Sequence, residues 1–236
     1  MSTLLDKTIV VTGASGNLGD ATVRALLARG ARVIGLDRDD TRPRAVFADA
    51  VASGKVSLHR VDLTSAASVE DAFSAALGDG APDGLVATVG GYEGGVSFLD
   101  GDGGDWETMW RINVVTAVHA SRAAARRMVQ TGSGSIVHVA SLAALAGGAG
   151  QIAYSAAKAA VLRLTEGLAE ELKPKRVRVN AVLPGTMDTP QNRAWMSPES
   201  AALAIDPLAV ADAIAFLLSP EARAVTGAAL RVTGFQ

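Results

Sequence analysis

The chain reads Thr8-Ile-Val-Val-Thr-Gly-Ala-Ser-Gly-Asn-Leu-Gly19 close to its start, and this stretch decides the predicted fold. Its apolar run ends in glycine, which is typical of a buried parallel strand, and a helical pattern then extends to Gly30. Glycine turns let the backbone approach a pyrophosphate closely, while the free amides at a helix start stabilise its charge. Strand, turn and helix together predict the first half of a dinucleotide-binding unit.

A second strand is predicted at residues 31–37, and it ends in Asp37. An acid at this position accepts hydrogen bonds from the adenosine ribose and repels an additional phosphate, so NAD(H) is favoured over NADP(H) as the cofactor. Arg38 and Arg42 follow the strand, and an arginine there can hold a 2′-phosphate. NADP(H) therefore remains possible.

Apolar runs and helical patterns alternate along the rest of the chain. This alternation favours an α/β fold with a doubly wound parallel sheet. Long helices are predicted at residues 106–130 and 152–173. Further strands are predicted at residues 56–62, 85–91, 134–141, 177–183 and 229–233.

The composition excludes several classes of function. Of 236 residues, 49% are hydrophobic and 19% charged, so residues 1–236 can form a single globular domain. The net charge of -2 is spread along the chain and leaves no basic stripe for nucleic acid. There is no cysteine and the three histidines lack ligand spacing, so no metal site is predicted. No stretch has the length of a membrane span and no apolar leader is visible, which predicts a cytoplasmic protein.

A serine and a Tyr-x-x-x-Lys pattern form the candidate catalytic group. Ser141 ends the predicted fifth strand, and Tyr154 and Lys158 share one face of the next helix, about 6 Å apart along its axis. A tyrosine titrates near about 10, so it transfers protons at neutral pH only when a nearby cation favours its phenolate. Lys158 can supply that cation, and Ser141 can polarise a substrate oxygen. Alternatively, both helical residues are ordinary surface residues, because the pattern is a loose one.

Together with the glycine turn, Asn113 and Pro184-Gly185, these residues resemble the classical type of the short-chain dehydrogenase/reductase family. The resemblance covers essentially the whole chain and implies a single-domain Rossmann fold with a seven-stranded sheet of order 3-2-1-4-5-6-7. It also implies hydride transfer between NAD(P)(H) and the carbonyl or alcohol of a small-molecule substrate, with Tyr154 as general acid/base. The implied catalytic residues are Asn113, Ser141, Tyr154 and Lys158. The implied cofactor contacts are Gly13, Ser15, Gly16, Asn17, Leu18, Gly19, Asp37, Arg38, Asp62, Leu63, Gly90, Tyr154, Lys158, Pro184, Gly185, Met187 and Thr189.

The resemblance also assigns roles within this set. The asparagine of the resembled family disturbs its helix and holds a water that links the lysine to solvent, and Lys158 would also bind the ribose. Thr189 would approach the cofactor phosphates, and the backbone near Met187 would meet the nicotinamide amide. Asp62 matches a position that contacts adenine. Alternatively, Asp62 caps a helix or lies in a loop.

Two departures from the family pattern are visible. The middle glycine of the phosphate loop is Gly16, one place earlier than usual, and this spacing resembles extended members of the family. The loop is still expected to bind the cofactor phosphates despite the shifted position of Gly16. Family members usually have Asn-Asn-Ala-Gly after the fourth strand, whereas this chain has Ala87-Thr-Val-Gly90. Gly90 can still admit the cofactor, and Thr88 is the remaining candidate for the lost side-chain hydrogen bonds.

Two loops face the predicted site, at residues 91–104 and in a substrate-loop region at about 185–207. The stretch 183–199 resembles dihydropteridine reductases, which generally lack the serine and the helix asparagine. A dihydropteridine reductase-like enzyme and a non-catalytic nucleotide-binding sensor are the alternatives to a carbonyl or alcohol oxidoreductase. The resemblance further implies a homotetramer or homodimer in which helices 106–130 and 152–173 pack between subunits.

Overall fold

The structure, a computed structural model, describes residues 3–235. Met1, Ser2 and Gln236 belong to the predicted domain 1–236 but lie outside the described residues. Within the described part, one sheet contains seven parallel strands in the order 3-2-1-4-5-6-7, which confirms the predicted fold class. The strands are β1 Thr8–Thr12, β2 Arg32–Asp37, β3 Val56–Arg60, β4 Gly84–Ala87, β5 Gly134–Val139, β6 Val177–Pro184 and β7 Ala229–Val232.

Helices connect the strands and cover both faces of the sheet. The longest, at residues 152–172, matches the predicted helix at 152–173. The helices are α1 Asn17–Ala28, α2 Thr41–Val46, α3 Ala48–Ala52, α4 Ala66–Leu77, α5 Gly104–Met109, α6 Thr116–Thr131, α7 Ile152–Leu172, α8 Pro190–Arg193, α9 Pro198–Ala202 and α10 Pro207–Leu218.

Two regions differ from the predicted elements. No helix is predicted at residues 41–52, where the structure has α2 and α3, because these short helices carry no apolar stripe that a periodicity could reveal. The predicted long helix at 106–130 is present, but it is not α-helical throughout. A π-helical segment, Trp110–Val115, separates α5 from α6.

The core lies on both faces of the sheet because successive residues of a strand point to opposite sides. In β1, Ile9 and Val11 contact the layer that contains α1 and α10. Val10 contacts the opposite layer, which contains α4, α6 and the carboxyl-terminal part of α7. β1 is therefore apolar on both faces, as the continuous run at residues 8–12 predicts.

The sheet order places the site. β1 pairs with β2 on one side and with β4 on the other, so the chain changes direction across the sheet at this point. In open parallel sheets, ligands bind at the carboxyl ends of the strands beside such a reversal. The glycine turn after β1, Gly90 after β4 and Ser141 after β5 all lie at this edge.

Candidate active site

Ser141, Tyr154 and Lys158 converge at the carboxyl end of β5. Ser141 follows the strand, and its Oγ accepts a hydrogen bond of 3.2 Å from the Ala143 backbone N–H. Tyr154 and Lys158 lie on successive turns of α7, with the Lys158 Nζ 5.8 Å from the centre of the Tyr154 ring. The ammonium donates a hydrogen bond of 3.0 Å to the Val139 carbonyl oxygen, which fixes the lysine against β5.

The pKa values of the two helical residues depend on burial. Burial raises the pKa of Tyr154, a hydrogen bond with Ser141 lowers it, and the charge of Tyr92 raises it further. Burial also lowers the pKa of Lys158 from 10.5 to about 8. The predicted lowering of the Tyr154 pKa by Lys158 is therefore not found in the chain itself, because desolvation of the phenolate dominates.

The side chain of Asn113 explains the π-helical segment. Its Nδ2 donates to the Met109 carbonyl oxygen at 3.0 Å and to the Gly91 carbonyl oxygen at 3.1 Å. In a regular α-helix, the backbone N–H of Asn113 would bond to that Met109 carbonyl. The side-chain amide takes its place, which widens the helix locally. The Asn113 Oδ1 also accepts a hydrogen bond from the Gly91 backbone N–H, so the asparagine binds the loop that follows β4.

The phosphate loop keeps the glycines that close packing requires. A Cβ at Gly19 would lie 1.9 Å from the Gly13 carbonyl oxygen, so no side chain fits there. A Cβ at Gly16 would lie 3.3 Å from the same oxygen, a contact that a small shift relieves. Gly16 precedes α1 and provides no side-chain cap, which leaves the first amides of the helix for an anion. The early position of the middle glycine is therefore compatible with a phosphate site.

Thr88 bonds to this loop. Its hydroxyl donates a hydrogen bond to the Thr12 carbonyl oxygen, which joins the end of β4 to the end of β1. Thr88, which is predicted to replace the missing asparagines, thus fixes the backbone at Thr12, where the phosphate loop begins.

Asp37 is held by the phosphate loop. Its carboxylate accepts hydrogen bonds from the Ser15 backbone N–H at 2.8 Å and from the Ser15 Oγ at 2.6 Å. The backbone N–H of Arg38 donates to the other carboxylate oxygen at 2.7 Å. Arg42 donates from Nη1 to the Ser15 carbonyl oxygen, so its guanidinium is directed to backbone at this corner.

Asp62 lies in a turn after β3. Its Oδ1 accepts hydrogen bonds from the Thr64 backbone N–H and hydroxyl at 2.9 and 2.7 Å. Ser65 caps α4, since its side chain accepts from the Ser68 backbone N–H. Asp62 therefore lies in a loop and does not cap α4, and its carboxylate lines the cavity described below.

The turn after β6 forms a further wall of the candidate site. The Gly185 backbone N–H donates to the Val232 carbonyl oxygen at 3.1 Å. Thr189 is buried and caps α8 by accepting from the Asn192 backbone N–H. The Asn192 side chain in turn donates to the Met187 carbonyl oxygen at 2.9 Å. This network fixes the start of the substrate-loop region.

One cavity of about 1000 Å³ brings these parts together. Every residue predicted to contact a cofactor lines it, and Ser141 does so as well. Asn113 lies next to it, buried beneath Gly91. The cavity extends from Asp37 at the end of β2 to Ser141 at the end of β5, and its elongated course over the α1 amides suits a dinucleotide.

The family model described as short chain dehydrogenase matches residues 7–200. The chain belongs to the short-chain dehydrogenase/reductase family. This short-chain dehydrogenase/reductase is 33% identical to a 3-oxoacyl-(acyl-carrier-protein) reductase of Vibrio harveyi, with 97% of this chain and 96% of the relative aligned. It is 35% identical, with the same coverage, to the cis-4-hydroxycyclohexanecarboxylate dehydrogenase of Sinomonas cyclohexanicum. A solved short-chain type dehydrogenase/reductase from Mycobacterium ulcerans superimposes with a TM-score of 0.90 at 29% identity, covering 98% of this chain and 90% of that one.

Several cavity residues of this short-chain dehydrogenase/reductase have no predicted role. Tyr92 comes from the loop after β4, and Gln191, Asn192 and Trp195 come from the substrate-loop region. Their loops are predicted to face the site, but irregular segments have no period from which the direction of a side chain follows. The one sequence signal for a role of Tyr92 at the site is its position directly after the paired glycines Gly90 and Gly91.

Residues 3–235 of this short-chain dehydrogenase/reductase contain neither a metal-binding cluster nor a helix that could span a membrane. No group of three or more His, Cys, Asp or Glu side chains there is placed to hold a metal ion. Helices in the same range are too short or too polar to cross a membrane.

Proposed function

We propose that this oxidoreductase interconverts a carbonyl and an alcohol on a small molecule, with a nicotinamide dinucleotide as cofactor. The observation that carries the proposal is the convergence of Ser141, Tyr154 and Lys158 at one end of the cavity that passes over the start of α1. The printed activities of two relatives, on a 3-oxoacyl group and on a hydroxycyclohexane, support a reaction at an oxygen-bearing carbon.

The residues present fit the dinucleotide. The uncapped first amides of α1 would bind the pyrophosphate, and the Asp37 carboxylate would accept hydrogen bonds from the ribose. When bound, the nicotinamide supplies or accepts the hydride.

Tyr154 would donate a proton to the substrate oxygen in reduction and remove it in oxidation, while Ser141 hydrogen-bonds that oxygen. Lys158 lies one turn further along α7, where it would bind the nicotinamide ribose. With the oxidised nicotinamide bound, the two positive charges together would oppose the effect of burial on the phenolate. The hydrogen bond between Ser141 and Tyr154 already lowers the pKa of the tyrosine against the effect of burial.

NAD(H) is the proposed cofactor rather than NADP(H). The Asp37 carboxylate after β2 would repel the 2′-phosphate of NADP(H), and the loop has glycine, not a basic residue, at position 16. Arg42 is directed to the Ser15 carbonyl oxygen. The test is the ratio of kcat/KM for NADH to that for NADPH. A ratio below one would overturn this choice and would assign the 2′-phosphate to Arg38.

A homotetramer or homodimer is the proposed assembly. The exposed fraction of Trp110 is 51%, and α7 has the partly exposed alanines Ala156 and Ala160, which allow close helix approach. Light scattering of the purified protein tests this, and a monomeric mass at micromolar concentration would contradict it.

Tyr154→Phe tests the proposed chemistry. We expect kcat to fall by about 10²- to 10⁴-fold, because the general acid/base is lost. The NADH dissociation constant should be nearly unchanged. Ser53→Ala removes a hydroxyl from an exposed site after α3 and is the matched control, with unchanged kcat expected.

Three results would decide against the proposal. Undiminished turnover by Tyr154→Phe would remove the tyrosine from its role. Calorimetric NADH binding without oxidation on a broad carbonyl panel would favour the non-catalytic sensor. NADH-dependent reduction of quinonoid dihydropterin, with no activity on carbonyls, would favour the dihydropteridine reductase-like alternative.

A further inference from the structure

Tyr92 lies directly against the proposed catalytic tyrosine. The centres of the Tyr92 and Tyr154 rings are 5.1 Å apart, and the ring planes are inclined by 85°, which is an edge-to-face contact. Tyr92 nevertheless leaves 57% of its surface exposed, and it lines the cavity. An aromatic surface is thus presented to the space next to the group that would transfer the proton.

Two anchors hold Tyr92 in this position. On one side, Gly91 exchanges two hydrogen bonds with the side chain of Asn113 on the π-helical segment. On the other side, the Gly95 backbone N–H donates to the Gly150 carbonyl oxygen at 2.7 Å, just before α7 begins. Tyr92 is therefore positioned by the same elements that carry Asn113 and Tyr154.

The glycine between these anchors allows the tyrosine to fold back. A Cβ at Gly94 would lie 2.4 Å from the Tyr92 hydroxyl oxygen and 2.6 Å from the Gly150 carbonyl oxygen. Only glycine permits both contacts without movement. Gly94 is thus explained by the packing of the Tyr92 side chain beside the site.

Trp195 brings a second aromatic surface to the same cavity. It lies after α8 in the substrate-loop region, with its backbone N–H bonded to the Asn192 carbonyl oxygen, and 65% of its surface is exposed. Large exposed aromatic groups that line one cavity usually contact an apolar ligand when the site is filled. Tyr92 and Trp195 come from the two loops that differ most from regular structure.

Three cationic side chains line the cavity among the described residues, namely Arg38, Arg111 and Lys158. Arg38 follows β2 and Arg111 lies on the π-helical segment. Hydrogen bonds from Thr64 lower the pKa of Asp62 most, and the charges of Arg111 and Arg38 lower it further, so both cations act on this carboxylate after β3. In the sheet order, β3 is four strands from β5, or about 19 Å. Lys158 bonds to the Val139 carbonyl oxygen. Among the described lining residues, no other Lys or Arg is available to pair with an anionic substrate.

We propose that Tyr92 and Trp195 are specificity-determining residues that select a neutral, ring-bearing alcohol or ketone. The inference rests on the proposed function and assigns its substrate class. The substrate ring would lie against Tyr92, whose own ring contacts Tyr154, and its oxygen would meet Tyr154 and Ser141, while Trp195 lines the same cavity. A linear substrate loses much of this contact, and a carboxylate near the reacting carbon has no cationic partner.

The test compares three ketones on the NADH-loaded enzyme. Cyclohexanone is neutral and cyclic, 2-hexanone is neutral and linear, and 4-oxocyclohexanecarboxylate is cyclic and anionic. For the wild type we expect the highest kcat/KM with cyclohexanone. In Tyr92→Leu and Trp195→Leu this value should fall by about 10-fold, while that for 2-hexanone changes by less than about 3-fold. Tyr92→Phe keeps the ring and should retain the preference.

Leu99→Ala is the matched control, because Leu99 lies on the same loop, is 89% exposed and does not line the cavity. Its selectivity should equal that of the wild type. Equal losses for the cyclic and linear ketones in Tyr92→Leu, or a wild-type preference for the anionic ring, would overturn the inference.

Failure of the proposed function has a different signature. In that case no ketone is turned over, or Tyr154→Phe keeps full activity. Calorimetric binding of cyclohexanol and 2-hexanol to the NAD-loaded protein then still measures selectivity. A loss of cyclohexanol binding by Tyr92→Leu would support the inference without turnover, and equal binding of both alcohols by the wild type would contradict it.

Discussion

At the scale of single residues, Gly90 leaves no room for a side chain beside the proposed catalytic group. A Cβ at this position would lie 2.6 Å from the Asn113 Oδ1 and 3.0 Å from the Lys158 Nζ. Both of these atoms are already hydrogen-bonded to backbone groups, at Gly91 and Val139 respectively. A side chain here therefore forces one of two proposed catalytic residues to move.

Gly90→Ala should lower kcat/KM by about 10- to 100-fold, because displacements of about 1 Å at a site have effects of this size. Gly147→Ala is the control, since no atom lies within 4 Å of a Cβ there, and its kcat/KM should be unchanged. Steady-state kinetics with circular dichroism of both variants measures the effect. A fully active Gly90→Ala would show that Asn113 and Lys158 do not need their present positions.

At the scale of elements, α10 depends on a cation at its carboxyl end. Arg178, on β6, donates from Nη1 to the Leu217 and Val225 carbonyl oxygens at 2.7 and 3.2 Å. Its Nη2 donates to the carbonyl oxygens of Leu218 and Ser219. A guanidinium thus satisfies carbonyls that the last turn of a helix leaves free, and its charge favours this end of the helix dipole.

Arg178→Met should reduce the free energy of unfolding by about 2 kcal/mol, since charge-assisted hydrogen bonds to buried carbonyls are lost. The melting temperature should fall by about 4–8 °C for a chain of this size. The exposed Arg223, a few residues after α10, provides the control Arg223→Met, for which less than about 0.5 kcal/mol is expected. Thermal denaturation of both variants measures this, and equal melting temperatures would contradict the role of Arg178.

At the scale of the whole molecule, His138 joins the sheet to two helices. It is fully buried on β5, where its Nε2 lies 2.7 Å from the Ser121 Oγ on α6 and its Nδ1 lies 2.8 Å from the Thr165 Oγ1 on α7. The Thr165 hydroxyl donates to the Val161 carbonyl oxygen, so it accepts from the imidazole, and the Nε2 accepts from Ser121. Burial lowers the pKa of His138 from 6.5 to about 4.

The lowered pKa of His138 predicts that the protein loses stability in mild acid. Above pH 6.5 the imidazole is neutral in both states, and between pH 6.5 and about 4 the unfolded chain binds the proton that the native chain does not. The free energy of unfolding should therefore fall with decreasing pH, by about 3 kcal/mol over the whole window. Chemical denaturation at pH 7 and pH 5, above the range of most carboxylates, measures the first part of this loss.

His138→Gln should make the free energy of unfolding less dependent on pH, and His59→Gln is the control. His59 is only partly buried, and its pKa is lowered by burial and by the charge of Arg44, so it contributes in the same direction but to a smaller extent. A wild type with the same stability at pH 7 and pH 5 would contradict the proposed state of His138.

Much of the molecule follows from local patterns. The run at residues 8–12, the glycine turn and the following helix predict β1 and α1 because each pattern reflects the geometry of one element. The spacing of Tyr154 and Lys158 likewise follows from helix geometry, and the order of motifs along the chain predicts the edge at which they meet. Short helices without an apolar period, such as α2 and α3, leave no such signal.

Only the tertiary structure decides which distant residues meet. Asn113 replaces a backbone hydrogen bond and binds Gly91, an arrangement that requires the loop after β4 to pack on the π-helical segment. The direction of the Tyr154 pKa shift depends on how far packing removes the phenol from water. The contact between Tyr92 and Tyr154 joins a loop to a helix 62 positions later. The sequence by itself determines what lies within a few residues along one element, whereas burial and long-range contact arise only when the layers pack.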